Sequence, residues 1–140
     1  MKKLLKQLSI ALLILVFVYA AVSKLLAFGE FGAGLHAQPF PPVVADVLRY
    51  LLPASELAAA AMLLVPRTLW LGLQVSLVLL ILFTGYVGLV LLHFWSAEPC
   101  ICGGLMTGLS WGAHLALNLF LLCLNLIAIY VELKERRPAV

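Results

Sequence analysis

Long apolar runs dominate the pattern of residues along this chain. Four of them are long enough for helices that cross a bilayer, which need about 20 residues each. They cover residues 7–27, 44–65, 68–94 and 110–132. Pro53 interrupts the second run, and residues 54–65 are too few to span alone, so we expect the helix to continue through the proline with a kink. The pattern predicts an all-α membrane protein, with residues 1–140 forming a single domain, a four-transmembrane-helix bundle.

The composition agrees with this prediction. Hydrophobic residues make up 65% of the 140 and charged residues 11%, whereas water-soluble domains usually carry about 25% charged residues. The net charge of +3 comes from residues that flank the runs, and the chain lacks the basic face that nucleic-acid binding requires. We therefore expect the lipid bilayer as its surroundings and no nucleic-acid partner.

The positions of the basic residues predict an orientation, because Lys and Arg are enriched in short cytoplasmic segments. Seven of the nine lie before the first run, between the second and third, or after the fourth: Lys2, Lys3, Lys6, Arg67, Lys134, Arg136 and Arg137. Both termini are then cytoplasmic in a multi-pass protein of the inner membrane, and loops 28–43 and 95–109 face outward. A cleaved signal peptide is the alternative for the first run, but the apolar stretch continues through Lys24-Leu25-Leu26 without a convincing cleavage site.

The outward loop 95–109 contains Cys100-Ile101-Cys102-Gly103-Gly104. A disulfide between cysteines two positions apart closes a small, strained ring, so it should be easier to reduce than a structural disulfide. The two glycines leave room for a partner thiol. The motif predicts an exchangeable pair, with Cys100 and Cys102 as the catalytic candidates. A static disulfide, inert thiols, or a soft-metal site completed by His93 and His114 are the alternatives. The spacing matches no common zinc pattern, so no metal is assigned.

The last run carries a polar stripe. Helical periodicity places four residues on one side that should face the bundle interior: Trp111, His114, Asn118 and Asn125. Cys123 points to nearly the opposite side. His114 lies near the outer end, where it could stabilise a thiolate or move a proton, with Asn118 orienting it. Ser110 is the predicted helix cap. Interhelical bonding alone is the alternative for the asparagines.

Other positions carry weaker expectations. Lys24 and Glu56 are ionisable residues within the spans, for which the sequence leaves open both pairing and interfacial exposure of the lysine. Gly85 and Gly88 share a side of the third run and are expected to admit a neighbouring helix closely. In the first outward loop, which also contains His36, we expect an extended segment because of its prolines, Pro39, Pro41 and Pro42.

Three stretches of the chain match a known family: residues 17–26, ending in Ser23-Lys24-Leu25-Leu26; Leu52-Pro53-Ala54-Ser55-Glu56-Leu57; and the cysteine motif followed by Leu109-Ser110-Trp111-Gly112-Ala113-His114 and Asn118. In these stretches the chain resembles the MauE/DoxX-like family of small redox-associated membrane proteins. The resemblance implies a four-helix membrane bundle. Methylamine-utilisation members are linked to maturation of a disulfide-rich periplasmic dehydrogenase subunit, and other DoxX-like members to quinol oxidation or sulfur metabolism.

The leading hypothesis is a membrane thiol–disulfide oxidoreductase. Cys100 and Cys102 would exchange disulfides or electrons with a periplasmic thioredoxin-like or client protein and support maturation of a periplasmic enzyme. The chain has one such pair, so electrons would pass directly to a partner protein or to a quinone cofactor. Two other classes stay open: a soft-metal transfer module, and a noncatalytic membrane subunit of a respiratory or redox complex.

Overall fold

The computed structural model describes residues 1–92 and 111–137, and five α-helices lie in these ranges. In chain order they are α1 (Lys2–Leu26), α2 (Phe28–His36), α3 (Pro42–Leu64), α4 (Leu69–Leu91) and α5 (Trp111–Arg136), with a 3-10 turn at Pro66–Thr68 before α4. By length and composition, four segments can cross a membrane: α1, α3, α4 with its preceding turn, and α5. The predicted all-α fold with four membrane-spanning helices is confirmed.

The four long helices pack as a closed bundle. α1 contacts α3 and α5, and α4 contacts the same two helices, while the short α2 lies against α3. Lys6 near the start of α1 forms an ion pair with Glu132 near the end of α5. Arg136 stacks over the ring of Trp70 at the start of α4. The two termini and the α3–α4 turn therefore lie at the same end of the bundle.

Large apolar side chains occupy both the inside and the outside of this bundle. The interior cluster includes Leu13, Phe17 and Leu73. On the outside, Leu15 and Leu82 have 65% and 62% of their surface exposed. Contact with lipid tails satisfies such an apolar exterior, because hydrocarbon is as apolar as the side chains themselves. The protein is a multi-pass membrane protein whose helices contact the bilayer.

α3 runs through its proline without a break. Pro53 is buried inside the helix, and the hydroxyl of Ser55 donates a hydrogen bond to the carbonyl of Leu52 over 2.8 Å. A proline removes one backbone donor, here the one that would bond to the carbonyl of Arg49, yet the helix continues on both sides of it. The predicted continuity of this helix is confirmed.

The prediction of a loop at residues 28–43 is wrong for its first part, which forms α2. Phe31 and Leu35, one helical turn apart, are 2% and 1% exposed and pack with Ala45 of α3. Burial of this face outweighs the weak helix propensity of the segment's glycines. Pro42 is the first residue of α3, where proline's missing backbone donor costs nothing.

The structure also places the close helix contact at a different glycine from the two that we expected. At Gly85 and Gly88, no described residue lies within 4 Å of the position that a Cβ would take. A Cβ on Gly72 would instead lie 2.9 Å from the backbone nitrogen of Leu63 and 2.9 Å from the carbonyl carbon of Met62. Gly72 is therefore the residue that lets α4 approach the end of α3.

Candidate functional site

An ion pair lies inside the bundle between α1 and α3. Lys24, in the last turn of α1, places Nζ 2.8 Å from Oε1 of Glu56, and the two side chains are 2% and 1% exposed. The sequence left this pairing open, and the structure shows it formed. Two charges in an apolar bundle are tolerated when they neutralise each other. Lys24 thus turns inward instead of extending to the interface.

The amine of Lys24 has further contacts on other helices. Its Nζ lies 6.0 Å from the ring centroid of Phe31 on α2 and 6.0 Å from that of Phe83 on α4. It also donates a hydrogen bond to the carbonyl of Ala20, one turn earlier in α1, over 3.5 Å. Aromatic faces at this distance attract a cation. The ammonium group is thus surrounded by groups from α1 to α4.

The short helix α2 covers the ion pair. Phe31 points from α2 to Lys24, and contacts near both ends of α2 attach it to α3. At the first end, the guanidinium of Arg49 stacks on the ring of Phe28 at 4.0 Å. At the other, Nε2 of His36 lies 2.9 Å from Oδ1 of Asp46, in an exposed position. Part of the segment that we predicted as an outward loop therefore forms a helix that covers the Lys24–Glu56 pair.

The second carboxylate oxygen of Glu56 has a different environment from the first. Oε2 is buried and has no hydrogen-bond partner among the described residues. Beside Glu56 is a cavity of about 20 Å³ whose other polar wall residue is Asn118 of α5. Apolar side chains complete the lining: Val16, Phe17, Ala20, Leu80, Phe83 and Leu121. Asn118, which we predicted to support the thiol site, therefore lies across a small cavity from the Lys24–Glu56 ion pair.

The polar stripe predicted on the last span faces the interior. His114, Asn118 and Asn125 are 9%, 6% and 0% exposed. The amide nitrogen of Asn125 donates to the carbonyl of Leu73 on α4 over 3.3 Å, so this asparagine joins two helices. Cys123 is exposed, which confirms that it points away from the stripe.

An aromatic and polar cluster lies where α4 ends and α5 begins. The ring of Trp111 is 5.8 Å from that of His114 and 6.5 Å from that of Tyr86 on α4. The hydroxyl of Tyr86 donates to Oε1 of Gln38 over 2.8 Å, and Gln38 is 4% exposed. Sequence reasoning missed Gln38 and Tyr86, because no periodicity links residues 48 positions apart.

The cysteines of the predicted site, Cys100 and Cys102, lie outside the described residues, as do His93 and Ser110. Their predicted roles stay predictions. Within residues 1–92 and 111–137, no group of three or more His, Cys, Asp or Glu side chains is placed to hold a metal ion.

An apolar groove opens beside the Lys24 region. It has a volume of about 280 Å³ and lies among α2, α3 and α4. Its wall consists of apolar and aromatic side chains: Leu35, Phe40, Leu48, Leu52, Leu79, Leu82, Phe83 and Tyr86. Phe83 lines both this groove and the small cavity beside Glu56.

Fold and site together define a small four-span helical membrane protein with a buried ion pair and a polar face on its last helix. The family model described as "Methylamine utilisation protein MauE" matches residues 1–131. The chain therefore belongs to the MauE family, as its residues suggested. No curated protein and no solved structure matches it.

Proposed function

We propose that this MauE-family protein is a membrane accessory protein that exchanges disulfides through Cys100 and Cys102 and supports maturation of a periplasmic enzyme. The observation that carries the proposal is the family match, which spans residues 1–131 and so includes both cysteines. The family description points to methylamine utilisation, and we propose a methylamine dehydrogenase as the enzyme whose maturation is supported.

The chemistry proposed is thiol–disulfide exchange. The thiolate of one cysteine attacks a disulfide of a thioredoxin-like or client protein, which forms a mixed disulfide and releases a thiolate that takes up a proton. The second cysteine then attacks the mixed disulfide, leaving a Cys100–Cys102 disulfide and a fully reduced partner. The reverse sequence oxidises the partner.

His114 and Asn118 are proposed as supporting groups for the thiol pair. Both are buried on the interior face of α5, and His114 lies within one turn of the helix start, twelve residues after Cys102 in the sequence. An imidazole so placed stabilises a thiolate or moves a proton. Asn118, one turn further in, lies on the same face and is proposed to orient it.

A membrane quinone is the electron acceptor that we propose for the case in which the cysteine pair oxidises its partner. The dithiol would give two electrons and two protons to the quinone, leaving a disulfide and a quinol. The groove among α2, α3 and α4 supports this proposal, because its apolar and aromatic wall suits a ring and an isoprenoid tail. Tyr86 brings a hydroxyl group to its edge, where it bonds to Gln38.

Thiol trapping in intact cells tests the proposal. A mass-shifting alkylating reagent that does not cross the membrane is applied to a Cys123→Ser variant, in which Cys100 and Cys102 are the remaining cysteines. We expect both to be labelled after reduction, and their redox state to change when external thiol-redox proteins are removed. A Cys102→Ser or Cys100→Ser variant should accumulate a mixed disulfide with its partner.

Other outcomes decide against this function. A pair that stays oxidised in every strain, or that is never labelled from outside, contradicts the mechanism or the orientation. Enzyme maturation that survives a Cys100→Ser/Cys102→Ser double change favours a noncatalytic subunit. Tight stoichiometric binding of copper(I) or zinc by the reduced protein favours a soft-metal transfer module. If added quinone fails to reoxidise the reduced cysteine pair, the quinone is not the electron acceptor, but thiol–disulfide exchange with a partner protein is unaffected.

A further inference from the structure

The carboxylate of Glu56 is satisfied at one oxygen only. Oε1 accepts a hydrogen bond from Lys24 Nζ over 2.8 Å, whereas Oε2 is buried without a partner among the described residues. A buried polar atom left unsatisfied is costly in a protein interior and more so in a membrane, where water is scarce. Protonation would not remove the need, because the resulting hydroxyl would require an acceptor. Either state calls for a hydrogen-bonding neighbour at this oxygen.

The cavity beside Glu56 has the size and lining to supply that neighbour. Its volume is about 20 Å³, which is room enough for a single water. A buried water also requires two or more polar partners. Glu56 and Asn118 are both in the cavity wall, from different helices, and both are buried.

We propose that this cavity is a binding site for one water molecule held between Glu56 and Asn118. The water donates one hydrogen bond to Oε2 of Glu56 and uses its remaining capacity on the side-chain amide of Asn118. The ion pair between α1 and α3 is thereby connected to the polar face of α5. The inference is independent of the thiol chemistry proposed above, and either can fail without the other.

Filling the cavity distinguishes a hydrated site from a dry one. Ala20 lies in the cavity wall, and Ala20→Val adds two carbon atoms there without changing a polar group. Thermal unfolding of the purified full chain in detergent micelles, followed by circular dichroism, gives the effect. Displacing a required water should lower the midpoint by about 5 °C or more. A dry cavity predicts a gain, because filling it adds packing contacts.

Making the same Ala20→Val change in a second protein, one without the ion pair, distinguishes loss of the water from steric crowding. In a Lys24→Met/Glu56→Met double variant no charged oxygen needs a partner, so Ala20→Val should then leave the midpoint unchanged or raise it. An equal loss in both backgrounds would mean crowding and would overturn the inference, as would a gain in the unaltered protein.

A high-resolution experimental structure of the unaltered protein provides a second test, which requires no variant. We expect electron density for one water within hydrogen-bonding distance of Oε2 of Glu56 and of the Asn118 amide. Asn118→Leu should remove that density while the Lys24–Glu56 contact remains. A well-ordered site without such density in the unaltered protein contradicts the proposal.

Discussion

At the level of single residues, Lys24 and Glu56 show how a membrane interior treats charge. A lysine near the end of a span can extend its amine to the interface, and the sequence left that alternative open. The structure buries Lys24 instead, with 2% of its side chain exposed, against Glu56. Aromatic rings of Phe31 and Phe83 complete its surroundings. Lys24 is accommodated inside the bundle because Glu56, its ion-pair partner, is buried there as well.

The Lys24–Glu56 pair predicts that the effects of single and double substitutions on stability are not additive. Lys24→Met and Glu56→Met should each destabilise the protein by about 3–5 kcal/mol, because each leaves one buried charge without its partner. The Lys24→Met/Glu56→Met double variant should recover most of the loss, since both charges are gone and the volume is retained. Unfolding midpoints of the four proteins in detergent measure the effect.

Lys2→Met supplies the control for this double-mutant cycle. Lys2 lies at the exposed start of α1, so its replacement should leave the unfolding midpoint almost unchanged. Additive losses in the double variant would contradict a specific Lys24–Glu56 interaction and would indicate that each residue acts separately.

The buried positions on α5 were predictable because they follow a local period. His114, Asn118 and Asn125 lie on one face by helical geometry alone, and that face is buried. Gln38 and Arg49 were not predictable in the same way. Their contacts with Tyr86 and Phe28 depend on how separate helices meet, and no spacing within one segment contains that information.

At the level of helices, α4 illustrates the limit of pattern reading. It is apolar on all sides, so its sequence does not indicate which face meets a neighbour. Gly85 and Gly88 looked like contact residues, yet the close approach to α3 occurs at Gly72. There the α3–α4 turn brings α4 against the backbone of Met62 and Leu63.

We therefore expect Gly72→Ala and Gly85→Ala to have opposite effects on stability. At Gly72 the added carbon would meet backbone atoms at 2.9 Å, so the free energy of unfolding should fall by about 1–3 kcal/mol through overpacking. At Gly85 the same change meets open space among the described residues and should add up to about 1 kcal/mol from helix propensity.

Thermal unfolding of the two alanine variants, measured side by side, checks this expectation. The gain in helix propensity is common to both positions, so the difference between them reports packing alone. A Gly72→Ala variant as stable as Gly85→Ala would show that α4 can move away from α3 without cost.

At the level of the whole molecule, ion pairs close the end of the bundle where the termini lie. Lys6 pairs with Glu132 and with Glu135, and Arg136 pairs with Glu132 over 2.7 Å. The structure thus brings together the basic segments that the sequence assigned to the cytoplasmic side. Their common location at one end agrees with an even number of spans, and the side of the membrane on which they lie stays a prediction.

Reporter fusions test the orientation. Alkaline phosphatase is active only outside the cytoplasm, so a fusion after Ala37, between α2 and α3, should be active. A fusion at the C-terminus should be inactive, because the positive-inside rule places that end in the cytoplasm. A green fluorescent protein fusion at the C-terminus serves as the converse control and should fluoresce. The opposite pattern would place the cysteine motif in the cytoplasm.

The sequence alone determined the membrane class, the four spans, the inward face of α5 and the family. These properties depend on local quantities: the length of an apolar run, the period of a helix, and short motifs. Tertiary structure decided that Lys24 meets Glu56, that α2 forms and covers this pair, and that Gly72 is the contact glycine. These depend on which faces of separate helices meet, and that choice is made by packing the whole bundle.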